Sequence, residues 1–164
     1  MQSNIEGIEV SGKNGEKLIV QNRRAYFDYE ILEKYEAGIE LKGTEVKSLR
    51  TSGSMSIKDA YVDYEDGELF LVNAYIRPYE QGNIMNHDPE RKRKLLMHKR
   101  EILRLGKKME EKGLTVIPLR VYFKRGIVKV EIALCKGKKL VDKREEIKKR
   151  ETQREIEKLM KRFR

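Results

Sequence analysis

The chain has one cysteine, Cys135, no tryptophan, two histidines and three prolines among 164 residues. A single cysteine excludes an intrachain disulfide and argues against a cysteine-built metal cluster. His87 and His98 are the only side chains that ordinarily titrate near neutral pH. No apolar run approaches the roughly 18 residues of a membrane span, and the N-terminus lacks the apolar stretch of a secretory leader. A soluble, cytoplasmic protein with no membrane partner is therefore expected. No internal repeat and no phosphate-cradling glycine motif occurs. The carboxylates are dispersed among lysines, so neither a metal site nor a cofactor is expected.

What the chain does have is charge. It carries 37 Lys and Arg against 27 Asp and Glu, a net charge of +10 and a pI near 9.6. That balance favours polyanionic partners. From Lys136 to Arg164 there are thirteen basic and six acidic residues, so +7 of the net charge lies in the last twenty-nine positions. Residues 1–17 read as a loose lead-in or weak hairpin, 18–135 as one compact body and 136–164 as a basic tail.

Within the body, Leu18–Val20 opens the first strand, and Tyr26, Phe27 and Tyr29 suit a strand as well. Residues 30–37 read as a short helical turn stopped by Gly38. Ile39 and Leu41 alternate with Glu40 and Lys42, and Gly43 fits a bulge or barrel corner. Residues 60–64 and 68–75 flank Asp66-Gly67, a strong hairpin signal. Asp88-Pro89 announces a helix as N-cap and first helical residue. Leu95, His98, Ile102, Leu105 and Met109 would share its buried face, Gly106 weakens its middle, and Gly113 ends it. Two strands over 116–124 and 127–134 surround Arg125-Gly126, and Pro118 implies an edge or bulge. These elements amount to a mainly β body of about six strands with inserted helices. A small antiparallel barrel of the oligonucleotide-binding type suits the pattern, and an α+β roll also fits it. Asp142 and Glu145 open a helix in the tail. Glu145–Lys149, Glu146–Arg150 and Glu157–Lys161 each contribute about 0.2–0.5 kcal/mol to it. With no core of its own to pack on, the tail is expected to be disordered when free and helical on a partner.

Nothing completes a catalytic set around His87-Asp88, so no catalytic residue is assigned; an RNA nuclease or modifying enzyme would have to use that pair. His87 reads as a loop residue at a helix entrance. The basic features say more. Arg91-Lys-Arg-Lys94 sits against the macrodipole preference in the expected helix. Arg23 and Arg24 precede aromatics, an interleaving suited to phosphate neutralisation and base stacking. The Lys136–Lys139 cluster and the tail could be a nucleic-acid arm, a membrane-surface helix or a solubilising extension. A short apolar line without tryptophan makes the membrane the weaker reading.

Four segments together resemble the small protein B (SmpB) family. They are Asn22-Arg-Arg-Ala25, residues 36–50 (EAGIELKGTEVKSLR), residues 88–96 (DPERKRKLL) and residues 136–144 (KGKKLVDKR). The resemblance runs from about Ile19 to the C-terminus. It implies an oligonucleotide-binding-type barrel with three helices that clasps the tRNA-like domain of tmRNA, with Asn22, Glu36 and Leu96 at contact positions. The wider set expected on the RNA is Arg23, Arg24, Lys47, Arg50, Arg91, Arg93, Lys94, Lys124 and Lys129. The tail is implied to lie as a helix in the vacant decoding site and mRNA channel of a stalled ribosome, against small-subunit rRNA. Gly137, Lys138 and Lys139 would stand near the decoding centre, followed by Asp142, Lys143 and Arg144. Alanyl-tmRNA delivered by EF-Tu–GTP would then be accepted. Two positions depart from the family pattern: Val141, where an aromatic or histidine is common, and Tyr26-Phe27, where a basic residue and histidine are common. A ribosomal protein or assembly factor with a basic tail is the alternative that residue chemistry alone leaves open.

Overall fold

The structure, a computed structural model, describes residues 15–138 and 140–162; the side chains of residues 83–85, 140–147 and 162 lie outside the description. In chain order the strands are β1 (Glu16–Gln21), β2 (Tyr29–Ile39), β3 (Met55–Ser56), β4 (Tyr61–Glu65), β5 (Glu68–Val72), β6 (Tyr75–Ile76), β7 (Arg93–Leu96), β8 (Leu114–Lys124) and β9 (Ile127–Gly137). The helices are α1 (Ala25–Asp28), α2 (Gly43–Thr51), α3 (Lys99–Met109) and α4 (Leu140–Arg162), with a 3₁₀ helix over Glu80–Met85. The antiparallel order β8–β4–β5–β7–β2–β9 closes on itself through β8–β9, making a ring of six strands with β1 added alongside β8. The chain is thus mainly β with several helices, as the strand count predicts.

Two hairpins form where the sequence places them. Asp66 and Gly67 have φ of 51° and 79°, and Arg125 and Gly126 of 53° and 82°. Positive φ at both central residues matches the right-handed twist of the flanking strands. Along β9, Val128, Val130, Ile132 and Leu134 point into the ring, where they meet Leu69, Leu71, Val62 and Val121. Pro118 lies at an irregularity in the β8–β9 register, so the bulge reading holds and β8 is not an edge strand. Helix α3 adds Ile102 and Leu105 to the core. Gly106 there is a close-packing position: a Cβ on it would come within 2.4 Å of the Tyr64 ring.

Several segments differ from expectation. Residues 30–37 are strand, not helical turn, and Gly38 continues β2. A register shift between Ile31 and Glu33 breaks the alternation and puts two apolar residues, Ile31 and Leu32, side by side, which disguises a period of two. The strand expected over Tyr26–Phe27 is instead the single turn α1, with Tyr29 opening β2. Beyond Ile39 the chain turns into α2 rather than around a barrel corner. Lys42 N–H donates to Glu45 Oε1 at 2.7 Å there, a one-way cap by the N3 carboxylate with no Ser or Thr at the N-cap to announce it. Asp88-Pro89 begins a turn, not a helix: Asp88 Oδ1 accepts from Glu90 N–H at 3.0 Å, and β7 follows. Helix α3 starts at Lys99, with His98 exposed at its N-cap instead of buried. It ends at Met109, and Gly113, at φ 86°, lies in the turn beyond.

Glu45 explains that displacement. Its carboxylate is fully buried and accepts from Arg93 Nε at 2.5 Å and Arg91 Nη2 at 2.6 Å. Arg93, also fully buried, donates further to Ala74 O at 2.7 Å and Pro89 O at 3.0 Å. A helix over 89–97 would forfeit these bonds. Burial pushes the Glu45 carboxyl up, but Arg91, the Lys42 N–H and Arg93 outweigh it and hold the group below its ordinary value of 4.5. Its stabilisation is therefore complete above about pH 4.5 and is lost as pH falls through the lower folded value. Glu45→Gln should cost about 3–5 kcal/mol at neutral pH by leaving Arg93 uncompensated, and should flatten the acid limb of stability. Urea midpoints for both proteins from pH 7 to pH 3 test this. Equal midpoints at pH 7 would show that the pair does not hold the fold.

Candidate nucleic-acid interface

Residues alternating with the core form the outer face of the ring. Because Ala37, Val121 and Val130 point inward, their neighbours Glu36, Gly38, Tyr122, Lys129 and Glu131 point outward. The register places Leu96 opposite Gly38, Gly38 beside Lys129, Lys129 beside Tyr122 and Tyr122 beside Leu18. Leu96 is 48% exposed, so it is not a core residue and presents its side chain at the rim of this face. A Cβ on Gly38 would come 3.3 Å from the Leu96 Cβ. Glycine thus lets the leucine lie down beside the sheet.

Glu36 is fixed from two sides. Tyr122 donates its hydroxyl to Glu36 Oε2 at 2.5 Å, and Lys124 Nζ stands 3.2 Å from the same oxygen. The Tyr122 hydrogen bond holds the Glu36 carboxyl below its ordinary value against the opposing effect of partial burial, and Lys124 assists. Burial, then the Glu36 bond, raises the Tyr122 phenol far above its usual range. Next to them, Arg120 bonds Glu16 at 3.0 Å and Glu131 at 3.2 Å, and stacks 4.2 Å from the Tyr122 ring centroid. Tyr122, Arg120 and Glu131 went unassigned in the sequence, where only their alternation with core residues along β8 and β9 marks them.

At the far end of the same face, Asn22 follows β1 and donates its N–H to Leu119 O at 2.7 Å. Helix α1 seals a second small core of Ala25, Ile117, Leu119, Ala133 and Cys135. Arg24 bonds Asp28 at 3.2 Å and lies 5.4 Å from the Phe27 ring; Lys34 lies 5.1 Å from the Tyr26 ring. Tyr26 and Phe27 therefore engage cations of their own chain. Arg23 is exposed.

The expected site residues do not all gather here. Glu36, Leu96, Lys124 and Lys129 share the outer face, Asn22 and Arg24 lie between the end of β1 and α1, and Lys94 borders the face, paired with Glu68 at 3.0 Å. Arg93 is corrected outright: a guanidinium buried on Glu45, Ala74 and Pro89 cannot reach a phosphate. Arg91 is also bound inward, to Glu45 and Glu40 O. Lys47 and Arg50 belong to α2, where Lys47 lies 6.0 Å from the Tyr79 ring and Arg50 Nε is buried without a hydrogen-bond acceptor. His87 is buried, with its ring nitrogens bonded to Thr44 Oγ1 and Ile76 O at 2.9 Å, so it braces α2 against β6. Gly137 closes β9 in an exposed position, and Lys138 is anchored to α1 through Asp28 O at 3.0 Å and Tyr26 O at 3.1 Å. Asp142, Lys143 and Arg144 lie in α4. Lys139, and the side chains of Val141 and those three residues, are outside the described residues.

If Tyr122 is what depresses Glu36, Tyr122→Phe should move the Glu36 titration midpoint up toward 4.5. Carboxyl-carbon NMR of both proteins between pH 2 and pH 6 measures the shift. An unchanged midpoint would assign the effect to Lys124 alone.

The chain is similar to known proteins over most of its length. The family model described as SmpB protein matches residues 19–162. An SsrA-binding protein from Carboxydothermus hydrogenoformans is 61% identical over 145 residues, 88% of this chain and 97% of that protein. The SsrA-binding protein of Thermosipho africanus is 58% identical over 149 residues, 90% of this chain and 99% of that one. A solved structure described as "tmRNA-SmpB: a journey to the center of the bacterial ribosome" superposes with a TM-score of 0.62 at 58% identity, covering 74% of this chain and 85% of that one. With its ring of strands, its outer face and these relatives, the chain belongs to the SmpB family.

Proposed function

We propose that this protein is the RNA-binding adaptor of trans-translation, carrying tmRNA to stalled ribosomes in the cytoplasm. The observation that carries the reading is the gathering of Leu96, Gly38, Lys129 and Glu36 on one sheet face, with Asn22 just beyond the end of β1, in a chain 58% identical to an SmpB solved with tmRNA. An exposed leucine beside glycine offers an apolar platform for an unstacked base. Glu36, held ionised by Tyr122 and Lys124, accepts from a base amino group or a 2′-hydroxyl. Lys129, Arg23 and Arg24 neutralise phosphates.

The tail serves a second RNA. Helix α4 has 23 residues and so is about 35 Å long. Every described side chain from 148 to 161 is exposed, including Ile156, Leu159 and Met160. Its described contact with the body is in its first half, where Arg150 lies 5.5 Å from the Phe27 ring of α1, and the rest of its described length presents exposed side chains to a partner. Small-subunit rRNA lining the empty mRNA channel fits a segment of net charge +7, with Lys138, Lys139, Lys143 and Arg144 on phosphates and Gly137 allowing close backbone approach. The tail stands in for the missing codon pairing, so that alanyl-tmRNA brought by EF-Tu–GTP is accepted. The protein's part is binding and positioning, with no bond-making step of its own.

Deleting residues 140–164 should leave affinity for the tRNA-like domain of tmRNA nearly intact, while abolishing tagging of nascent chains on ribosomes stalled on truncated messages. Filter binding and a reconstituted tagging assay give the two readings. Unimpaired tagging would refute the role of the tail, and affinity for tmRNA no greater than for bulk RNA would refute the adaptor.

A further inference from the structure

Strands β8 and β4 pair at one register position, Val62 with Val116. Beyond it they diverge, and α1 and the segment 58–61 border a cleft of about 430 Å³. That is within the ~300–1,000 Å³ range of small-ligand sites. Buried Ala25, Ala60 and Ile117 form its apolar floor. Tyr61, 41% exposed, lies along its wall. Asn22, Arg24, Asp28, Lys58 and Asp59 supply its charged and amide groups, and Tyr29 and Thr115 complete the lining.

Arg24 and Asp28 on its rim bond each other at 3.2 Å. Lys92, Lys94, Lys108, Arg120 and Lys124 all have carboxylate partners. Among the described residues, the side chains of Asn22, Lys58, Asp59 and Tyr61 have neither a hydrogen bond nor an ion pair, although they surround one concavity. An aromatic face, an apolar floor, an acceptor-only carboxylate and cations at the rim are the requirements of a splayed nucleotide.

We propose that this cleft seats one unpaired guanine nucleotide of the bound RNA, an inference that rests on the adaptor reading above. The base stacks on Tyr61. Asp59, an acceptor on both oxygens, takes the two adjacent donors N1–H and N2–H of guanine. Adenine and cytosine set a ring acceptor beside their amino group, and uracil flanks its single N–H with carbonyls, so each leaves Asp59 facing a repulsive atom. The Asn22 amide donates to O6. Lys58 and Arg24 take the flanking phosphates. Asn22 thereby joins the sheet face to the cleft, so that one RNA strand crosses both.

Glyoxal reagents, which modify N1 and N2 of unpaired guanine, test this on the tRNA-like domain of tmRNA with saturating full-length protein. One unpaired guanine should lose its reactivity in the complex and regain it in complexes of Asp59→Asn and of Tyr61→Ala, with thermal melting showing both variants folded. Protection of no guanine, or protection that persists in both variants, overturns the assignment while leaving the adaptor reading intact. Failure of the unaltered protein to bind this RNA in preference to bulk RNA overturns the adaptor reading, and the inference with it.

Discussion

The contact on which the rest of the body depends is the buried pair of Glu45 and Arg93. It joins α2 to β7, and through Ala74 O and Pro89 O it also fixes both ends of the segment between β5 and β7. Arg91 extends it to Glu40 O, and Glu40 N–H bonds Lys94 O at 2.9 Å. The end of β7 is thereby locked to the end of β2, which places Leu96 across from Gly38 with its side chain outward. A buried ion pair adds little net stability when fully satisfied, yet losing one partner is severe. Its value here is positional, because it decides that residues 93–96 are strand and not helix. An exposed leucine on the outer sheet face is a consequence of that decision.

Charge is used in two ways along the chain. In the body, most cations near the sheet face are paired with carboxylates, and those pairs hold Glu36, Tyr122 and Arg120 in fixed orientations. Such a surface recognises shape and donor–acceptor pattern. The tail instead carries an excess of basic residues on an exposed helix, suited to sequence-independent attraction to phosphates. Lys138 lies at the junction, bonded to α1 between Asn22 and β2. The proposed adaptor role, in which the body holds one RNA and the tail enters a channel lined by another, would use these two modes separately.

Much of this was legible in the sequence. The β4–β5 and β8–β9 hairpins follow from Asp66-Gly67 and Arg125-Gly126 and from apolar alternation, because both signals are local. β2 was hidden by the register shift at Ile31–Glu33, and α2 by a cap built from Glu45 instead of Ser or Thr. β7 was misread because Asp88-Pro89 favours a helix locally, while the partner that prevents one lies 48 residues earlier in the chain. The same separation made Arg93 look like a phosphate ligand, one more member of a basic run, when it is a core residue. The motifs single out Asn22, Glu36 and Leu96 as expected RNA contacts, and the structure shows Leu96 exposed and Glu36 fixed. What holds Glu36 is not marked by them, since Tyr122 and Lys124 are 86 and 88 residues away.

The central claim is that the outer face running from Leu96 to Asn22 binds the RNA. It is tested most directly by equilibrium titration of the tRNA-like domain of tmRNA with Leu96→Asp, Lys129→Gln and Lys92→Gln. Lys92 is exposed but already engaged by its own chain, paired with Glu65 and 4.4 Å from the Phe70 ring. Affinity should fall at least about tenfold for Leu96→Asp, the loss expected when a base loses its platform. It should fall measurably for Lys129→Gln and hold for Lys92→Gln. Equal affinities for all three variants and the unaltered protein would contradict the account.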